Sequence, residues 1–563
     1  MPNASQNIRV PSNTHPSHLY SDTLYPSDIE EEEPFYSAQG TPISRPQSIR
    51  TTIQNFAGSY SRASILYVAD AISIQDNAAE DEEHQTLFKT QTSESDKPIY
   101  RTFSQRTTDH SHAGHFEPLS RHTTVGSIIS RQLSGTEPVN GVYDSKSMDT
   151  RPERKSSFVQ TIFNAVNVLV GVGILALPLS FRLAGWLYGS IILVFCCLAT
   201  NYTAKIIVKC LNANKNPEDD EHGGSYGDMG QIAFGDKGRT LISSVFVIEL
   251  ITIGVAMIVL LGDGIQSLFP EIDLLSTRLI SFCVLTPTVF IPIKKLAYTS
   301  LIGIIGCVSL VIIVFYDGIS KETRPGSLLD PMETEIVPYD ISNLPLSFGL
   351  IMSGFAGHAV FPSLYRDMET PKQYNQMVDI TYAITAVVYI FMAIIGYLMF
   401  GQEALQEITQ NLALIDEYSK SLNRFAIWLL VLTPLAKYGL MMQPLNISLE
   451  LSLFKNPLVE TWLKLEHHID SWRKNIIRIV GRVFLTAILV YIALVFPGFD
   501  KVMSLLGALF SFTISIIFPL VCHLQLFRHK LSITETILNW LLLVIAIIMA
   551  SFGTIWSFRP SEL

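Results

Sequence analysis

The sequence predicts an all-α polytopic membrane protein, and three observations carry that prediction. Of 563 residues, 48% are hydrophobic and only 16% charged, against roughly 25% charged in ordinary globular chains. From Ser157 onward, apolar runs of about 20 residues, the length that crosses a bilayer, recur with short polar punctuation. None of these runs alternates apolar and polar residues over ten-residue stretches as a transmembrane barrel would, so helices remain as the way to satisfy backbone polar groups in lipid.

Eleven such runs, numbered here as spans 1 to 11, fall near 157–180, 187–210, 241–262, 276–293, 297–317, 341–363, 380–400, 424–446, 478–497, 501–524 and 534–556. If residue 150 is cytosolic, the polar segments on that side hold 20 Lys/Arg and those on the other side 8. Such a bias predicts a cytosolic N-terminus, and an odd number of spans then puts Leu563 on the lumenal or external side.

The formal charge of −10 is unevenly placed. Residues 1–150 contain 19 Asp/Glu and 11 Lys/Arg, with acidic runs at Glu30 to Glu33 and Glu80 to Glu83. They are rich in Ser, Thr, Pro, Asn and Gln and too poor in apolar residues to repay ordering entropy. The expected organisation is therefore a disordered acidic cytosolic tail, 1–150, and a nearly neutral transmembrane domain, 151–563. Ser120, Ser130, Ser134 and Ser156 lie near Arg residues and are candidates for phosphorylation, which leaves room for regulatory partners of the tail. Neither half offers the basic excess that nucleic acid requires. Met1-Pro2-Asn3-Ala4-Ser5 lacks the charged and apolar regions of a secretory signal, so span 1 is expected to direct insertion.

No Ser/His/Asp arrangement, phosphate-binding glycine loop or metal-ligand spacing occurs, so neither catalysis, a cofactor nor a metal site is expected. Cys196, Cys197, Cys210, Cys283, Cys307 and Cys522 lie in or beside spans, away from the external loops where a disulfide would form. His467-His468 reads as a solvated pair.

Two spans argue against helical continuity. Span 1 contains Gly171-Val172-Gly173-Ile174-Leu175-Ala176-Leu177-Pro178, and span 6 contains Gly354-Phe355-Ala356-Gly357-His358-Ala359-Val360-Phe361-Pro362. In each, a proline follows the second glycine by five residues. Glycine weakens the helix, and proline lacks an N–H and crowds the carbonyl four residues back. Isolated kinks are one explanation. Breaks five spans apart are also what a 5+5 inverted repeat leaves in a sequence, with substrate held between the interrupted helices. Free amides from Gly171 to Ile174 would then take a carboxylate at a positive helix end. Freed carbonyls from Ser353 through Gly354 and Phe355 to Gly357 would take an ammonium. An amino acid meets both demands. Ile174 and Phe355 offer apolar walls suited to neutral side chains. Asn164 and Asn167, one turn apart, share a stripe that either faces a cavity or bonds a neighbouring helix.

These two stretches, with Ser504-Leu505-Leu506-Gly507-Ala508, Pro519 and His523-Leu524 of span 10, resemble the amino acid/auxin permease family. The acidic tail and Glu249-Leu250-Ile251-Thr252-Ile253-Gly254-Val255-Ala256 are similar to its fungal vacuolar amino acid transporter branch. The resemblance covers 155–556. It implies a leucine-transporter-type fold with eleven helices and proton-driven exchange of amino acids across the vacuolar membrane. An amino acid sensor or scaffold signalling through the tail is the rival reading.

Ionisable residues inside spans are costly and mark functional sites. Glu249 near the middle of span 3 is either a coupling carboxylate or a paired structural one. Lys437 in span 8 either snorkels or occupies the place where leucine-transporter-type folds commonly coordinate sodium, exchanging a proton instead. His358 within the second break is either a proton relay or an imidazole bonded to freed backbone. Asp263, Asp317, Glu450 and His523, near span ends, are expected to be solvated or to cap loops.

Overall fold

The computed structural model describes residues 58–60, 62–68, 155–213, 224–291, 293–455, 459, 471–496 and 498–559. The acidic runs, Ser120, Ser130, Ser134 and the His467-His468 pair lie outside the described residues. All described residues belong to one compact unit running from Ile53 to Leu563.

Among them, nine helices are long and apolar enough to cross a membrane, and two shorter apolar helices, Phe158–Leu169 and Leu274–Phe290, occupy spans 1 and 4. Every predicted span coincides with helix. The uninterrupted ones are Asp236–Leu268 (span 3), Ile293–Ser320 (span 5), Tyr374–Phe400 (span 7), Lys420–Lys455 (span 8), Ser471–Val495 (span 9) and Ile533–Ser557 (span 11). Spans 1 and 2 share the helix Leu177–Leu211, divided at Gly185, where φ is 65°. A side chain there would meet the Ile336 carbonyl at 2.8 Å. This crowding arises because the loop between spans 5 and 6 lies over the turn: Trp186 and Leu187 amides donate to Glu335 and Ile336 carbonyls at 3.0 and 2.9 Å.

Helix starts follow local chemistry. Ser157 with Gln160, Ser225 with Asp228 and Ser532 with Glu535 form reciprocal capping boxes that satisfy otherwise orphaned amides. Pro178 and Pro362 do not kink running helices as the sequence suggests. Each lies in the first turn of a resumed helix, Leu177–Leu211 and Phe361–Asp367, where a missing N–H costs nothing and the fixed φ suits the geometry.

Span 10 departs from regular helix. Between Phe499–Leu505 and Phe518–Leu526 it runs through two π-helical stretches, Leu506–Ser511 and Thr513–Ile517. It lies directly on the first half of span 6, Leu344–Ser353: side chains added at Gly349 or Gly507 would overlap the other helix's backbone. Gly507→Ala should therefore cost about 1–3 kcal/mol by overpacking, read as a lower melting temperature in detergent. Gly481→Ala, whose nearest neighbour would be Leu453 Cδ1 at 3.4 Å, should leave melting unchanged.

Candidate functional site

Both predicted breaks are present. Span 1 is helical over Phe158–Leu169, turns extended at Gly171, passes through a 3-10 stretch Val172–Ala176 and resumes at Leu177. Span 6 is helical over Leu344–Ser353, opens at Gly354–Gly357, tightens through His358–Val360 and resumes at Phe361. Gly357 has φ 126°, which a side chain would oppose. The breaks touch: a side chain at Gly173 would lie 2.9 Å from Gly354 Cα and N.

One hydroxyl joins them. Tyr389 of span 7 donates to the Leu169 carbonyl at 2.7 Å and to the Gly354 carbonyl at 2.6 Å, with the Gly171 amide beside the same oxygen. A tyrosine has one proton, so the two carbonyls share it. Tyr389 escaped the sequence reading because tyrosine is ordinary in apolar helices. Its spacing carries no signal until the breaks are placed around it.

The candidate residues divide into distinct settings. Gly171, Ile174, Val172 and Leu175 face Leu260 of span 3, Gly306, Cys307 and Leu310 of span 5, and Leu429, Leu430 and Thr433 of span 8, across a narrow, predominantly apolar cleft. Gly171 has room there, since a side chain would meet only the Leu169 carbonyl at 3.9 Å. Gly173 and Gly354 instead form the contact between the breaks. Phe355 turns towards span 7, stacked on Tyr382 at 6.3 Å and edge-on to Tyr389 at 5.3 Å. It does not line the cleft as the sequence suggests. The Ser353 hydroxyl is used within its own helix, donating to the Leu350 carbonyl at 2.7 Å.

Three of the span 6 carbonyls expected to be free accept bonds within the protein: Ser353 takes the amide of Ala356, Gly357 that of Val360, and Gly354 the Tyr389 hydroxyl. His358 is buried and points to span 2, its Nε2 3.0 Å from the Thr200 carbonyl and 3.2 Å from Thr203 Oγ1. Its partners are thus a carbonyl and a hydroxyl of the continuous span 2 helix, not the freed backbone of its own break. Asn164 donates to Ser59 Oγ at 2.7 Å. Asn167 is buried one turn further on.

Glu249 and Lys437 are both buried. Lys437 follows Thr433 by one turn, and its stem packs on span 5, with Cε 3.0 Å from the place a Gly303 side chain would take. Glu249 is within electrostatic reach of Tyr226 and Tyr67.

The residues near span ends are mostly not solvated. Glu450 is buried and receives Arg478 Nε at 3.1 Å and Arg482 Nε at 2.6 Å. His523 Nδ1 lies 3.1 Å from Asn539 Nδ2, and Asp317 is fully buried. Asp263 pairs at 3.0 Å with Arg278, itself fully buried. Asp500 and Glu407 lie in the same electrostatic neighbourhood. Glu407, in the loop after span 7, has its carboxyl pushed well above the usual range by burial and then by Asp263. Glu407 and Asp500 were absent from the sequence reading, and Arg278 entered it only as one of the 8 Lys/Arg on the non-cytosolic side. A basic residue recurring opposite an acidic one is invisible when the two lie in different spans.

The transmembrane amino acid transporter protein family matches residues 154–559. The chain belongs to this family. Among relatives, the amino acid transporter AVT1D of Arabidopsis thaliana is 31% identical over 414 residues, covering 71% of this chain and 69% of its own. AVT1I of the same plant is 30% identical, covering 72% and 95%. Solved structures give weaker likenesses at 14% identity. MhsT in complex with L-phenylalanine overlays with a TM-score of 0.42, covering 72% of this chain and 100% of that one. A manganese transporter mutant from Eremococcus coleocola overlays at 0.39, covering 76% and 93%.

Tyr389→Phe leaves two buried carbonyls without their shared donor and should cost roughly 1–3 kcal/mol. Amino acid binding to the purified variant, measured calorimetrically, should weaken together with its melting temperature. Gly173→Ala should also lose binding, because the breaks cannot close on one another. Gly171→Ala should fold with wild-type stability, since its side chain would meet only the Leu169 carbonyl, at 3.9 Å.

Proposed function

We propose that the chain is a proton-coupled amino acid transporter of the alternating-access type, working as an antiporter that moves neutral amino acids into the lumen across the vacuolar membrane. The observation that carries this reading is the pair of broken helices pinned by Tyr389 beside an apolar cleft. A substrate carboxylate meets the Val172 amide on the open side of the first break, next to the Gly171 amide that lies against the Tyr389 oxygen. Ile174, Leu260, Leu310 and Leu430 would receive an apolar side chain once this narrow cleft widens. Neutral selectivity is supported by the lining, in which Thr433 is the polar side chain and its hydroxyl already donates to the Leu429 carbonyl at 2.9 Å.

Coupling is assigned to Lys437 and Glu249. An ammonium one turn from the cleft supplies the fixed positive charge that a sodium ion would otherwise bring, and it can exchange that charge for a proton. His358 takes a positioning role, holding the second break to span 2. The vacuolar membrane, a cytosolic N-terminus and a lumenal C-terminus rest on the sequence resemblance and on the Lys/Arg bias. An acidic lumen then drives uptake by exchange for protons.

In reconstituted vesicles an imposed pH gradient should drive amino acid accumulation and a sodium gradient should not. Lys437→Met and Glu249→Gln should each lower pH-driven flux by roughly tenfold or more. Flux that follows sodium and ignores pH would reject the coupling assignment.

The sensor reading retains one supporting observation, the seating of residues 58–68 against Ser156 and Asn164. It predicts that tail partners change with amino acid supply even where flux is blocked.

A further inference from the structure

Residues 58–60 and 62–68 lie in the stretch whose composition predicts disorder, yet they are helical and packed into the transmembrane unit. Their contacts fall on five spans. At span 1, Ser59 Oγ is 2.6 Å from Ser156 Oγ and accepts from Asn164 Nδ2 at 2.7 Å. At the end of span 6, Arg62 Nε donates to Asp367 Oδ1 at 3.1 Å, and its Nη2 reaches Ser156 Oγ at 3.3 Å. Tyr67 meets Phe246 of span 3 edge-on, with ring centres 5.9 Å apart. Tyr60 and Val68 are buried with Leu296 of span 5 and Leu440 of span 8.

The distribution of these contacts matters more than their number. Spans 1 and 6 carry the breaks, whereas spans 3, 5 and 8 form the wall of the cleft facing the first break. The segment is hydrogen-bonded to the first group and packed by apolar side chains on the second. Its polar anchor is also the place where the broken helices are tied together. Ser156 pairs backbone with the strand-like end of span 6, its amide donating to the Asp367 carbonyl at 2.7 Å and its carbonyl accepting from Glu369 at 2.9 Å. The Ser156 hydroxyl also donates to the Asp367 carboxylate.

Alternating access requires the two groups of helices to change their separation at each end of the bundle. A helix wedged between them at one end fixes that separation. It also takes the amide of Asn164 on the same face from which a substrate would enter or leave.

We propose that the mouth between the broken and unbroken spans is a peptide-docking site whose occupant is this chain's own segment 58–68, and that transport requires the segment to leave. The proposal rests on the alternating-access reading above. It assigns the tail a direct inhibitory contact: a short amphipathic helix, anchored by Ser59 and Arg62 and buried through Tyr60, Ala63 and Val68. The docked state binds no substrate from that side, so apparent affinity there falls with the fraction of undocked protein.

The test uses the full-length chain carrying Ser59→Cys with Ser156→Cys, whose side-chain oxygens are adjacent in the native protein. Oxidation should form the cross-link, reduce amino acid flux in reconstituted vesicles by about tenfold and be reversed by dithiothreitol. Ser59→Cys alone should show no such response. Independently, Arg62→Glu sets like charges against Asp367 and should raise flux several-fold, while Arg62→Lys keeps the pair and should not.

Two results would overturn the proposal: cross-linked protein that transports as fast as reduced protein, or reduced protein in which the cross-link cannot be formed. If the cross-link forms but neither the reduced chain nor Arg62→Glu moves any amino acid, the transport reading fails, and the inhibitory role with it, while the docking contact stands.

Discussion

The shared hydrogen bond from Tyr389 is the interaction on which the centre of this molecule depends. Backbone unwound at membrane depth has no water or lipid donor to turn to, and each unsatisfied group costs several kcal/mol. Here two carbonyls 185 residues apart in sequence, those of Leu169 and Gly354, meet one phenolic proton. Because the two bonds share a donor, neither break can shift without disturbing the other. The remaining packing is consistent with this. Gly173 fits against Gly354, Gly357 admits Val168, and Phe355 is held between Tyr382 and Tyr389. His358 fastens the far side of the second break to span 2. Gly171 is left as the point where the first break faces unfilled space.

The buried charges fall into two groups with different partners. Glu450 with Arg478 and Arg482, and Asp263 with Arg278, are opposite charges held within hydrogen-bond distance near span ends. Such pairs offset one another's desolvation, and removing one member strands the other. Their placement makes them ties between neighbouring spans. Lys437 is different in kind. It lies in mid-span, one turn from the cleft, with its stem against a glycine whose absent side chain makes room for it. That placement is why the proposed coupling is assigned to it in preference to the paired arginines.

What could be read from the sequence follows the range of the interactions involved. Length and hydropathy located the apolar helices among the described residues because the bilayer imposes its requirement on each helix separately. The breaks were legible for the same reason, since Gly and Pro act on their own backbone. Even there the proline's role differed. A residue that lacks an N–H serves equally to interrupt a helix or to start one, and only the neighbouring dihedral angles distinguish the two. Tyr389, Arg278 and Glu407 were not legible, because each matters through a partner in another span. The turned-away ring of Phe355 was missed likewise: an aromatic residue in a break can face substrate or neighbour, and the sequence does not record which.

Segment 58–68 shows the same limit at its sharpest. It lies within the polar, acidic tail although six of its eleven residues, Tyr60, Ala63, Ile65, Leu66, Tyr67 and Val68, are apolar, and an isolated helix this short is not stable in water. It is helical because Ser156, Asn164 and Asp367, about 90 to 300 residues later, supply its polar partners, and Leu296 and Leu440 its apolar ones. An element stabilised only by its receptor is one that can be released as a unit, since little of its structure survives undocking. Its surroundings share that dependence. The Ser156 hydroxyl and the Asp367 carboxylate are each bonded both across the broken helices and to the segment. Departure of the segment therefore loosens the join between spans 1 and 6 at the end where a transport cycle must open it. Blocking the mouth and stiffening the helices around it are thus two effects of one set of contacts.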